Sequence, residues 1–218
     1  MKAILTIGNK NYSSWSLRAW LVLRESGIDF EERRIALDVP STRRELFEAS
    51  AAGLVPVLRL DDLTVWDTMA IAETIAERWP EKQLWPADDA ARAHARSICA
   101  EMHTGFSALR NAMPMNCRAM GRKVEVADEL GDDINRIIEI WTECRGQYSE
   151  HGDWLFGDFS IADAMFAPVA LRFRTYGINM PESASFYPRR LLQSEAMQAW
   201  LLAAESETEV IEREEIGQ

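Results

Sequence analysis

Every segment of this 218-residue chain that reads as a β-strand lies before Trp85-Pro86, and everything after that point patterns as helix. The apolar run Ala3 to Ile7 ends at Gly8-Asn9, which by its length and terminator predicts a buried strand. Tyr12-Ser13-Ser14-Trp15-Ser16 then opens an amphipathic helix carrying Leu17, Trp20, Leu21 and Leu23, with Arg18 and Arg24 between them and a stop at Gly27. An edge strand is expected within Phe30 to Leu37, and a short polar helix over Ser41 to Ala49. Gly53 to Leu60, the Asp61-Asp62-Leu63 turn and Thr64-Val65-Trp66 form a hairpin signature. Pro56 must sit at a strand start or edge, since it cannot donate to a ladder. Asp67-Thr68 caps a further helix with Ile71, Ala72, Ile75 and Trp79 on one face, ended by Pro80. The order is strand, helix, strand, helix, strand, strand, helix. It predicts an α/β unit over residues 1–82, a linker at 83–88 and an all-α unit over 89–218, with helix breaks at Pro114, Gly121, Gly131, Gly152, Gly157 and Tyr187-Pro188.

Charge divides at the same place. Before Pro86 there are 11 basic and 13 acidic residues, and after it 13 and 22, for a formal net charge of −11 over the chain. A field of that sign repels phosphate backbones and anionic lipid heads, so nucleic acid and membrane surfaces are not expected partners. The 47% hydrophobic and 27% charged residues match a folded soluble protein, and the Glu-rich end (Glu205 to Glu215) reads as a solvated face or fraying tail. Cys99, Cys117 and Cys144 lie far apart without a Cys-x-x-Cys, which supports neither a disulfide framework nor a zinc site and fits a reducing cytoplasm. The opening apolar run is too short for a signal or anchor segment. His94 and His103 share a predicted helix without a third ligand at metal spacing and His151 falls in a loop, so all three read as structural or surface residues and no metal is expected.

The element order, with an X-Pro leading the hairpin, is that of a thioredoxin-like domain, a fold that places its chemistry at the start of the first helix. Here that start is Ser13-Ser14-Trp15-Ser16, with no thiol of its own, so a thiol would have to be brought in. With the all-helical second half, the whole chain resembles the cytosolic glutathione transferases. Tyr12-Ser13-Ser14-Trp15-Ser16-Leu17-Arg18 is most similar to the Ser-Ser-Cys-x-x-Arg helix start of the zeta class, which includes maleylacetoacetate isomerases; Trp15 stands where that class has cysteine. Val55-Pro56 resembles the family's Val-Pro with its cis bond, and Asp67-Thr68 ahead of Ala70-Ile71 resembles Glu/Gln-Ser-x-x-Ile. Ser160-Ile161-Ala162-Asp163 resembles its Ser/Thr-x-x-Asp capping box.

The resemblance implies glutathione as co-substrate, a homodimer, and a small hydrophobic electrophile as the second substrate. Ser13 would donate its hydroxyl to the glutathione sulfur and stabilise the thiolate, the reactive form of a thiol whose free pKa is about 8.5. Ser14 is the alternative donor, and both serines also suit plain helix caps. The Val55 main chain would pair with the cysteinyl part of glutathione, Thr68 would meet its γ-glutamyl carboxylate and Asp67 its ammonium group, with Trp15 beside them. Trp15, Met113, Met115 and Asn116 would line the electrophile pocket. Gly53 stands near where relatives carry a basic or amide side chain for the glycyl carboxylate, leaving Arg43, Arg44 or Lys10 as substitutes. A cis-trans isomerase of the zeta type, a non-enzymatic ligand- or protein-binding module, and a thiol-disulfide oxidoreductase are the competing functions.

Overall fold

The computed structural model describes residues 2–218. β1 (Ala3–Ile7) buries Ala3, Leu5 and Ile7 and lies inside a four-stranded sheet of order β2-β1-β3-β4. β2 (Glu31–Arg34) runs parallel to β1, with Ile4 opposite Glu31 and Ile7 opposite Arg34. A parallel neighbour needs a crossover, and α1 (Ser14–Glu25) supplies it. β3 (Val57–Leu60) pairs antiparallel with β1 and with β4 (Leu63–Trp66), and Asp61 takes the left-handed φ that a two-residue hairpin favours. The expected edge strand shortens to Glu31–Arg34, all exposed, because the next residue, Ile35, turns into a small separate core with Ala49 and Val57. α2 (Thr42–Ala49) and α3 (Thr68–Arg78) complete this half.

Six α-helices follow: α4 (Asp89–Thr104), α5 (Ser107–Ala112), α6 (Asp128–Tyr148), α7 (Ile161–Tyr176), α8 (Glu182–Leu192) and α9 (Glu195–Glu205). Among the described residues no strand occurs after β4, only two isolated bridges between 154 and 158, and no helix is long and apolar enough to cross a membrane. Two expected breaks fall inside helices. Gly131 lies in the first turns of α6, where glycine costs only about 1 kcal/mol, and Pro188 lies in α8, where burial of Tyr187 and Leu191 offsets the lost backbone bond.

α1 departs most from its expected pattern. Ser14 and every residue from Ser16 to Leu23 are buried, Arg18 included, Trp15 and Glu25 are half-buried, and only Arg24 is exposed. The reason is that α1 packs on α3 in its own half and on α7 and α9 in the helical half, so no face is left for water. A single apolar core accordingly runs from Ala3 to Ala204.

The glutamate-rich end is likewise not a free tail. The Glu207 carboxylate accepts the Lys10 and Asn11 N–H groups at 2.7 and 3.0 Å, and Glu215 accepts the Tyr12 hydroxyl at 2.7 Å. The loop before α1 has orphan amides that need acceptors, and these glutamates provide them.

The Ser160–Asp163 capping box opens α7. Fully buried Asp163 accepts the Ser160 N–H at 2.8 Å and the Leu155 N–H at 3.1 Å. Burial pushes its carboxyl up to about 6, against the pull of those donors. Since the folded state then holds its proton to higher pH than the unfolded chain does, this group's contribution is greatest below about pH 4 and is lost as pH rises to about 6. We expect the stability difference between wild type and Asp163→Asn, measured by urea unfolding across this range, to fall by about 2–3 kcal/mol and then level off. A flat difference would refute the assignment.

Candidate active site

Ser13 is the N-cap of α1, its oxygen accepting the Ser16 N–H at 3.4 Å. Its hydroxyl donates to that of Ser16 at 2.7 Å, and Ser16, fully buried, also accepts the Gly8 N–H at 3.0 Å. One proton serves the Ser13–Ser16 contact. If the two hydroxyls rotate so that Ser16 supplies it instead, the Ser13 proton is free for the cleft. That cleft, about 340 Å³, is lined by Ser13, Trp15, Val55, Arg110, Met115 and Arg172 among others, with Ser14 on the same wall.

An apolar cavity of about 330 Å³ adjoins it, sharing Trp15, Leu54 and Val55 and bounded by Pro56, Trp66, Asp67, Thr68 and His103. The Val55–Pro56 bond is cis. Asp67 caps α3 from a φ of 76°, a region that favours glycine, and its Oδ1 accepts the Met69 and Ala70 N–H groups. Its Oδ2 lies 3.3 Å from Nε2 of His103, whose ring meets Trp15 edge-on at 5.2 Å. The Thr68 hydroxyl donates to the Trp15 carbonyl at 3.1 Å, tying the starts of α1 and α3 together. A larger cavity of about 410 Å³ around Trp85, Tyr148 and Phe156 holds none of these groups, so size alone does not mark the site.

Ser13, Ser14, Trp15, Val55, Pro56, Asp67 and Thr68 therefore converge on two adjoining cavities, and Met115 joins them. Met113 and Asn116 do not. Met113 is wholly buried in the core, whereas Asn116 is spent on hydrogen bonds with Asn11 (3.1 Å) and Glu215 (2.8 Å) that hold the 116–119 loop to the segment before α1. The substitutes for the glycyl-carboxylate anchor are also engaged. Arg44 pairs with Glu48 at 3.7 Å, Arg43 stacks on Phe47, and Lys10 pairs with Glu32 at 2.8 Å between the Trp20 and Trp200 rings. Gly53 has φ +61°, so a side chain there would strain the backbone and push aside the exposed Phe47 ring, which a Cβ would meet at 2.8 Å.

Three residues at the cavities escape sequence reasoning: His103, Arg110 and Arg172. No spacing links positions 15, 103, 110 and 172, which only the helix crossings bring together. His103 was expected to be structural or at the surface, and the structure sets it against Asp67. Arg18, fully buried beneath the site, donates from Nε to the Met165 carbonyl at 2.8 Å, and its guanidinium lies 4.6 Å from the Trp15 ring centre. Arg110 lies 4.8 Å from the same ring. Burial, then the charges of Arg110 and Arg172, holds the Arg18 guanidinium well below the usual arginine range.

Residues 12–78 match the family model for the glutathione S-transferase N-terminal domain. A probable maleylacetoacetate isomerase of Caenorhabditis elegans is 32% identical over 71% of this chain and 73% of its own length. The chain belongs to the glutathione S-transferase family. Its likeness to the zeta class rests on such isomerases. A stringent starvation protein A homolog of Coxiella burnetii is 22% identical over 94% of this chain and 95% of its own. Among solved structures, a Burkholderia glutathione transferase homolog with bound glutathione matches with a TM-score of 0.72 at 24% identity, covering 95% of this chain and all of that one. The thioredoxin-like half followed by helices is thus the glutathione transferase fold.

Within this family member the buried hydroxyl of Ser16 supports the Gly8 amide and Ser13 at once. Ser16→Ala leaves both without that partner and is expected to cost about 1–3 kcal/mol in denaturant unfolding. A loss below a few tenths would show that neither contact matters to the fold.

Proposed function

We propose that the protein binds glutathione in the two adjoining cavities and that Ser13 stabilises its thiolate for attack on a small electrophile. The observation that carries this reading is the Ser13 hydroxyl, backed by Ser16 and set at the start of buried α1, on the wall of a cleft facing Val55. A hydroxyl donor and the positive end of a helix both favour an anion over a neutral thiol. The Val55 main chain offers strand-like pairing to the peptide part of glutathione. The Thr68 N–H, at the first position of α3, is one of that helix's unpaired donors and suits the γ-glutamyl carboxylate. Asp67 Oδ2, shared with His103, suits the ammonium group. In this reading residues 1–82 carry glutathione, 83–88 connect, and 89–218 wall off the electrophile. The protein works as a homodimer in a reducing cytoplasm, which suits its three free buried cysteines.

One finding favours a second chemistry, reversible addition of glutathione to a cis double bond, namely the relatives named as maleylacetoacetate isomerases. Trp15 in place of the class's cysteine weighs against it. Turnover of maleylacetone without turnover of aryl halides would reverse the order.

Glutathione titrated by calorimetry in two buffers of different ionisation enthalpy counts the protons released on binding. We expect release from wild type near neutral pH, its loss in Ser13→Ala with binding retained, and a fall in kcat/KM on the order of 10²-fold. Ser14→Ala is expected to keep the release. Binding without release would remove thiol activation from the proposal, and no binding would leave the non-enzymatic module.

A further inference from the structure

We infer that Glu207 and Glu215 are positioning residues for Ser13, holding from the far end of the chain the loop that presents its hydroxyl and so setting how strongly the thiol is activated. The inference rests on the transferase reading and adds to it two residues that line neither of the adjoining cavities.

The loop that joins β1 to α1 has little structure of its own. It closes one turn, in which the Asn9 carbonyl accepts the Tyr12 and Ser13 N–H groups at 3.2 and 2.8 Å. The main-chain groups of Lys10 and Asn11 are met from the helical half. The Glu207 carboxylate takes their two N–H groups, one on each oxygen, while Trp200 Nε1 donates to the Lys10 carbonyl at 3.0 Å and the Cys117 N–H to the Asn11 carbonyl at 3.1 Å. Two successive N–H groups aimed at one point form a concavity suited to an anion, and the Glu207 side chain, only 6% exposed, fills it as a bound anion would.

Glu215 holds the next residue along. It accepts the Tyr12 hydroxyl at 2.7 Å and the Asn116 side-chain N–H at 2.8 Å and pairs with Arg122, while Arg118 donates to the same hydroxyl at 3.0 Å. Burial opposes the charge on Glu215, yet the Tyr12 and Asn116 hydrogen bonds and the charges of Arg122 and Arg118 hold its carboxyl below the usual glutamate range, so it is an anion near neutral pH. Tyr12 adjoins Ser13 and lines the same cleft. Because Ser13 shares the Asn9 carbonyl with Tyr12, a shift of the loop passes directly to its hydroxyl. Misplacing a catalytic group by about 1 Å costs on the order of 10²-fold in rate, so the two carboxylates bear on chemistry without touching substrate.

Glu207→Gln presents one oxygen to two N–H groups, and Glu215→Gln removes the charge facing Tyr12. Glu212→Gln, exposed in the same segment, controls for net charge. With glutathione and an aryl halide, each of the first two is expected to lower kcat at neutral pH about tenfold and to move the pH midpoint of kcat/KM upward by about half a unit or more, with the KM for glutathione within about twofold of wild type. Glu212→Gln should match wild type. Hydrogen exchange over residues 9–14, which needs no glutathione, is expected to quicken about tenfold or more in the same two variants. Either variant carries the test if the other fails to fold. Faster exchange with an unmoved pH midpoint would reduce both glutamates to structural braces and overturn the proposal, as would exchange that does not change. If the wild type itself activates no thiol, the transferase reading fails on its own, and the exchange data still decide whether the two glutamates fix the loop.

Discussion

The whole molecule depends on one helix being buried on every side. α1 crosses over between β1 and β2, packs on α3, and on its other faces meets α7 and α9. Each large aliphatic side chain wholly removed from water contributes about 1.5–3 kcal/mol, and Leu17, Leu21 and Leu23 are all inaccessible. These contacts make the halves one core instead of two. Arg18 extends the link in polar form, reaching from within α1 to a carbonyl of α7 while its guanidinium lies over Trp15.

The site follows from that burial. A helix enclosed along most of its length opens at its N-terminal end onto the two cavities, and Ser13, Ser14 and Trp15 occupy that end. The sheet half contributes Val55 and Pro56 ahead of β3 and the strained Asp67 cap of α3. The helical half contributes Arg110, Met115, Arg172 and, from α4, His103. Neither half alone encloses either cavity. The two walls also differ in character, with backbone and hydroxyl groups on one side and positive charge on the other.

What the sequence reveals tracks how local each cause is. β1, the hairpin, the Ser13 cap, the Asp67-Thr68 cap and the Ser160–Asp163 box are written in neighbouring residues, and their positions follow from short-range rules. α1's burial is not so written, because Arg18 and Arg24 look alike in sequence, and only the arrival of α7 decides that one is enclosed and the other solvated. Gly131 and Pro188 mislead for the same reason, since packing around α6 and α8 overrides local preference. The cleft shows the division most sharply. Ser13 and Val55 are legible from motifs, whereas of Met113, Met115 and Asn116, grouped around Pro114 because flexible methionine surfaces suit apolar ligands, only Met115 reaches the cleft, and Arg172 carries no local signal because helix crossings place it there.

The contacts of Glu207 and Glu215 with Lys10, Asn11 and Tyr12 also order events in time. The loop that sets Ser13 leaves the ribosome well before the carboxylates that satisfy its amides and its tyrosine, which follow about two hundred residues later. At about 5–20 residues per second, many seconds separate them. A nascent chain stalled at any point in the helical half would thus hold β1 and the serine cluster with these restraints missing, and the loop before α1 becomes fixed only when the acidic segment closes over it.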